Sequence, residues 1–216
     1  MARRPRSPSG RSMRPRLRRM SDDAPEIEVQ DEVAPEDDHL DEEFRARRAA
    51  ALAHVRKWGD PVLKTRARAV DQFDEALQAE VDYMRRIMHD AYGVGLAAPQ
   101  IGTSNRVLVY RVQPESPVVA LVNPEVEWMG RETEVIEEGC LSLPNVHVDV
   151  ERPVHVRARA VDEHGETVVI EASGLEARVI QHEVDHLDGV LMIERCPRDQ
   201  RKEAIRILRD QSSRAA

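Results

Sequence analysis

The chain has 216 residues, 41% hydrophobic and 33% charged, which is enough apolar mass for one core beneath a heavily charged surface. Its formal net charge of -8 argues against broad nucleic-acid binding, which needs a clustered Lys/Arg face, and no specific DNA binding is expected. No apolar run approaches the roughly 20 residues of a membrane span, and the Arg-rich start runs into acid rather than an apolar signal core, so neither membrane insertion nor secretion is expected.

Residues 1–20 carry eight arginines and no acid, while Asp22 to Glu43 is densely acidic with no Lys or Arg. Blocks of like charge repel themselves, so residues 1–45 are expected to form a disordered charged tail and residues 46–216 a single domain. A translation start at Met20 would shorten that tail. An organelle transit peptide, Arg-rich but lacking an apolar helical face, and an RNA-binding arm are the minor alternatives.

Folding is expected to begin near Arg45, with an early turn at Gly59-Asp60-Pro61. Between Phe73 and Ala91, Leu77, Val81, Met84, Ile87, Met88 and Ala91 recur at steps of three and four, which predicts a helix with one buried face, ended by Gly93. β-branched runs then predict strands at 107–112, 118–122, 146–150, 154–161 and 167–170, with a hairpin turn at Asp162-Glu163-His164-Gly165. A second helix is expected to start at Ser173, with Glu176 completing a capping box, and to close at Gly189. Pro197 suits the first turn of a last helix carrying Ala204, Ile205 and Leu208. Strands in one block between helices indicate an α+β domain.

The strongest chemical signal is His182-Glu183-Val184-Asp185-His186, inside the second helix. Histidines at i and i+4 share a helix face and can reach one metal ion, with Glu183 beside the first. A catalytic site of this type uses three protein ligands and keeps one position for water, so a third ligand is required. Downstream, Glu194 is close in sequence and cramped, which leaves Glu203; upstream, Cys140 sits in Glu138-Gly-Cys-Leu-Ser142. Cys140 could equally be a small buried hydrophobe, or pair with Cys196, the only other cysteine. The small-residue segment from Gly93 to Gln100 is a poor phosphate cradle, because no Lys-Ser/Thr pair follows. Its Gly and Ala residues would let a peptide backbone approach, and Gln100 offers an amide donor for an oxyanion; a helix C-cap with tight packing serves the glycines equally well.

Taken together, Gly93-Val-Gly-Leu-Ala-Ala-Pro-Gln100, Glu138-Gly-Cys-Leu-Ser142 and Gln181-His-Glu-Val-Asp-His-Leu-Asp-Gly189, preceded by Gly59-Asp-Pro-Val-Leu63, resemble the peptide deformylase family over residues 50 to 210. The resemblance implies antiparallel sheets packed around a central metal-binding helix, with a C-terminal helix. It implies hydrolytic removal of the formyl group from the N-terminal methionine of nascent polypeptides, with Cys140, His182 and His186 as metal ligands and Glu183 as general base. Gln100 and the Leu141 backbone N–H would steady the oxyanion, Gly95 would pair with the substrate backbone, and Val94, Leu175 and Val179 would line the methionine pocket. Fe(2+) is the implied native metal, replaceable by Zn(2+), Ni(2+) or Co(2+). The implied setting is the bacterial cytoplasm, near the ribosome exit.

Two positions depart from the family pattern. Arg178 stands where an apolar pocket residue is common, its stem expected to line the wall with the charge in solvent, and His147 stands where some relatives place an arginine or aromatic. Two other readings of the chain are a zincin-type peptidase with a downstream acidic ligand and a metal-stabilised binding module without turnover.

Overall fold

The computed structural model describes residues 42–215. Most of the expected tail lies outside that range; Glu42 to Arg45 are inside it and open helix α1 (Glu42–Ala53). Helix α2 (Glu75–Asp90) follows the predicted periodicity. Asp74 caps it by accepting hydrogen bonds from the Ala76 and Leu77 amides, and Leu77, Val81, Met84, Ile87 and Met88 form its buried stripe. The helix does not end through Gly93 as expected. Tyr92 takes the left-handed conformation at φ 58°, and the Tyr92 and Gly93 amides bond back to the His89 and Met88 carbonyls, which is a Schellman closure made with a tyrosine.

Seven strands follow: β1 (Gly95–Ala97), β2 (Val107–Tyr110), β3 (Val119–Met129), β4 (Thr133–Cys140), β5 (Leu143–Pro153), β6 (His155–Val161) and β7 (Thr167–Ser173). They form a five-stranded antiparallel sheet in the order β1-β2-β3-β6-β7 and a separate β4-β5 hairpin. Two strands were not expected. β1 is a short piece of what reads as a glycine loop, and β4 has mostly exposed residues with adjacent glutamates, so it shows no apolar alternation. The β6-β7 turn is as expected, closed by the Gly165 amide on the Asp162 carbonyl, with Gly165 at φ 89°.

Strand β2 explains the layering. Its Val-Leu-Val-Tyr run is buried on both faces: Val107 and Val109 pack with α2, while Leu108 and Tyr110 face the opposite way, toward helix α3 (Leu175–Leu187). Helix α3 therefore lies inside the molecule, with Ala177, Val179, Ile180 and Leu187 against the large sheet. Beyond it, Val146, Val148 and Val150 of β5 pack on Leu191 to Ile193 and on Ala204 and Leu208 of helix α4 (Arg198–Ala215). This is the α+β arrangement of antiparallel sheets around one central helix.

The start of α3 is a correction. Ser173 is the last residue of β7 and its hydroxyl meets His155 Nδ1 at 2.8 Å, while Gly174 occupies the cap at φ 57°, ψ -125°, with no side-chain cap bond. Glu176 accepts instead from the Tyr110 hydroxyl at 2.8 Å. A strand running directly into a helix needs an abrupt backbone reversal, which glycine allows and serine resists. Cys140 and Cys196 are both free, so the disulfide alternative falls.

At the far end of α3, Gly189 turns the chain at φ 73°, and a Cβ there would stand 2.9 Å from the Lys64 carbonyl carbon and oxygen. Gly189→Ala is expected to lower unfolding free energy by about 2–4 kcal/mol, from left-handed strain plus overpacking. A urea titration with unchanged slope and a lowered midpoint would show it; an unshifted midpoint would contradict it.

Candidate active site

Two elements bring Cys140, His182 and His186 together. Strand β4 ends at Cys140 through a register shift after Gly139, and α3 presents His182 and His186 one turn apart. The Cys140 Sγ lies 3.2 Å from His186 Nε2, and one donor atom from each of the three residues falls within 4.8 Å of the others. The imidazole rings meet edge to face with centroids 5.0 Å apart. One thiolate and two imidazoles suit several first-row metals.

His182 is held by a contact the sequence did not suggest. Its Nδ1 bonds Glu138 Oε2 at 2.9 Å, which leaves Nε2 to face the thiol. Glu138 is itself buried and also receives Arg152 through Nε at 2.6 Å and Nη2 at 3.0 Å, and Arg178 Nη1 at 2.8 Å. Arg152 extends to Asp185 Oδ2 at 2.9 Å, and Arg195 holds the same aspartate from outside. Burial pushes the Glu138 carboxyl up, but His182 and Arg152 override it and bring it down to about 2.

Arg178 requires a correction. Its guanidinium does not reach solvent: it bonds Glu138 and the Val150 and Glu134 carbonyls, and the residue is 7% exposed. The charge is part of the buried network, so its stem lines the cleft from inside. His147 stays largely exposed at the cleft, with Nδ1 3.7 Å from Glu137.

The cleft has a volume of about 680 Å³, and Cys140, His182 and Glu183 line it with Val94, Gly95, Gln100, Leu141, Leu175 and Val179. Every predicted site residue except His186 is therefore on its wall, and His186 sits buried behind Cys140. Glu183 Oε2 and His186 Nδ1 are buried side-chain atoms without a hydrogen-bond partner among the described residues. Burial raises the Glu183 carboxyl above its ordinary range against the lowering pull of His182 and His186. The same burial opposes a Cys140 thiolate, yet His186 and His182 hold that thiol well below its usual range. For His182, burial works against the imidazolium and is outweighed by Cys140 and Glu138, which hold it well above. The centre thus pairs a thiolate with positive charge, which a bound cation can replace.

Gly95 serves Glu183 directly, since a Cβ at this position would overlap Oε1 and stand 2.9 Å from Cδ. Gln100 is aimed by its own loop: its Oε1 accepts from the Ala97 amide at 2.7 Å, which directs Nε2 toward Ser142 Oγ at 3.3 Å and Cys140 Sγ at 3.7 Å. The Leu141 carbonyl accepts a hydrogen bond from Lys57 Nζ at 2.9 Å. The downstream acids do not join. Glu194 pairs with Lys64 and accepts from the Leu191 amide, and Glu203 is an exposed partner of Arg206, so the zincin arrangement is ruled out for this chain.

A cysteine sulfur and two imidazoles converging beside a buried carboxyl whose proton affinity burial raises, at the foot of an open cleft, define a metal-dependent hydrolase. Comparison with known proteins gives the family. The polypeptide deformylase family model matches residues 52–202. A peptide deformylase of Acidothermus cellulolyticus is 46% identical over 160 residues, covering 74% of this chain and 87% of the relative; that of Thermotoga neapolitana is 49% identical over 144 residues, covering 67% and 87%. The crystal structure of a peptide deformylase from Legionella pneumophila superposes with a TM-score of 0.70 at 37% identity, covering 74% of this chain and 95% of that one. The chain belongs to the polypeptide deformylase family, metal-dependent hydrolases that remove the formyl group from the N-terminal methionine of nascent peptides.

Because the folded carboxyl of Glu138 lies near 2 and the ordinary value is 4.5, its stabilisation is complete above 4.5 and is lost as pH falls through about 2. Glu138→Gln leaves Arg152 and Arg178 buried without their counter-charge. A loss of about 3–5 kcal/mol at pH 7 is expected in chemical denaturation, and a loss under 1 kcal/mol would contradict the network's role.

Proposed function

We propose that Cys140, His182 and His186 hold one metal ion, with Fe(2+) as the native ion, and that Glu183 is the general base for hydrolysis of formyl-methionine. The observation that carries this reading is the convergence of the three donor atoms beside the unpartnered Oε2 of Glu183. When bound, the metal supplies Lewis acidity that brings water's pKa from about 15.7 toward 7.

The remaining work belongs to the chain's own residues. Glu183 takes a proton from the attacking water and returns it to the departing methionine amine, and burial favours this by raising the carboxyl above its ordinary range. The Gln100 amide and the Leu141 N–H steady the developing oxyanion, each worth on the order of 3 kcal/mol. Strand β1 is the edge of its sheet, so the Gly95 backbone can pair with an extended peptide, while Val94, Leu175 and Val179 hold the methionine side chain. The protein acts in the bacterial cytoplasm on chains emerging at the ribosome exit. The basic residues of α4 are a solvated face, since Arg206 is already engaged by Glu203 and Asp210. Among the described residues no helix is long and apolar enough to cross a membrane.

Fresh protein should release formate from formyl-Met-Ala-Ser with about one metal ion per chain. Glu183→Gln is expected to keep the ion and lose turnover by roughly 10²–10⁴-fold, whereas Cys140→Ala should lose the ion. Metal retained in Cys140→Ala would refute the ligand set. Iron-loaded protein should lose activity in air while zinc-loaded protein does not; equal survival would count against iron.

A further inference from the structure

Helix α1 lies largely upstream of the segment the family model matches, which begins at residue 52, yet it builds part of the cleft. One face of α1 turns inward at spacings of four, three and one. Phe44 stacks on Tyr92 with ring centroids 3.9 Å apart, Ala51 is buried, and Arg48 and Leu52 line the cavity. A cation therefore occupies an inward position in a helix stripe.

Arg48 stands beside a second cation. Lys57 lines the same wall and is held below the ordinary lysine range, by burial foremost and also by the charge of Arg48, against the pull of Cys140. Among the described residues neither Arg48 nor Lys57 has a carboxylate partner; the nearest polar contact of Lys57 is the Leu141 carbonyl. The carboxylates on the cleft wall are otherwise placed. Glu138 is within the buried network, Glu137 is beside His147, and Glu183 belongs to the metal centre.

The position of this pair along the cleft follows from β1. Gly95 touches Glu183, Gly93 is packed against the Leu141 side chain, and Tyr92 carries α1. Moving from Gly95 to Tyr92 leads away from Glu183 and toward Phe44 and Arg48 of α1, while Lys57 stands nearer the centre, bonded to the Leu141 carbonyl, so a peptide leaving the methionine pocket along β1 toward Tyr92 would pass both cations. We propose that Arg48 and Lys57 form a cationic subsite that favours acidic side chains immediately downstream of the formylated methionine. This rests on the substrate placement given above, and it makes α1 a specificity element rather than a mere extension.

The test uses full-length, metal-loaded protein and three peptide amides, formyl-Met-Glu-Glu, formyl-Met-Gln-Gln and formyl-Met-Lys-Lys, so that no terminal carboxylate competes. In the unaltered protein kcat/KM should favour the Glu peptide over the Lys peptide by roughly fivefold at low salt, the effect of partly exposed ion pairs, and less as salt rises. Arg48→Glu should bring that ratio down at least threefold, and Arg48→Met, which keeps the stem without the charge, should lower it in the same direction and decides the matter if the Glu variant folds poorly. A ratio at or below one in the unaltered protein, or a ratio that Arg48→Glu and Arg48→Met both leave in place, overturns the subsite. No formate from the Gln peptide would instead mean that the substrate reading itself is wrong.

Discussion

The arrangement of this molecule turns on one buried carboxylate. Glu138 receives two arginines and a histidine at once, from β5 and from both the start and the middle of α3. Such a group is costly to bury alone and stabilising only when each lone pair is matched, so its partners fix one another. Arg152 ties the hairpin to α3 a second time through Asp185. The hairpin that carries Cys140 and the helix that carries both histidines are thereby locked in register, and the tautomer of His182 is set by the same bond.

That lock explains why the helix can lie inside the protein with polar residues on it. The sheet side of α3 is satisfied by alanine and branched residues of β2, β6 and β7. The hairpin side would be a row of unmatched charges without Arg152, and the charges are instead joined into one network beneath the cleft floor. Glu183 is the exception. It is pressed against Gly95 with one oxygen unpartnered, the state the proposed general base requires.

Much of this was readable from the residues. The stripe of α2, the paired histidines one turn apart and the branched runs of β2, β6 and β7 each follow a single strong period. Joining Cys140 to the two histidines needed the family resemblance, because a lone cysteine between strands carries no period at all. Strand β4 hid behind its charges, since an edge hairpin exposing Glu134, Val135 and Glu137 shows no alternation. The Glu138 network was hidden for the opposite reason: its members look like surface residues in the sequence, and only tertiary packing buries them together. Ser173 misled because a good capping residue stood one place before a glycine that the strand-to-helix reversal needed more.

The account stands or falls on whether Cys140 shares an ion with the two histidines. X-ray absorption of zinc-loaded protein measures this without reference to activity. One sulfur near about 2.3 Å and two imidazole nitrogens near about 2.0–2.1 Å, completed by one light solvent atom, is the predicted first shell. A shell with no sulfur, or one filled by four protein donors, would contradict it.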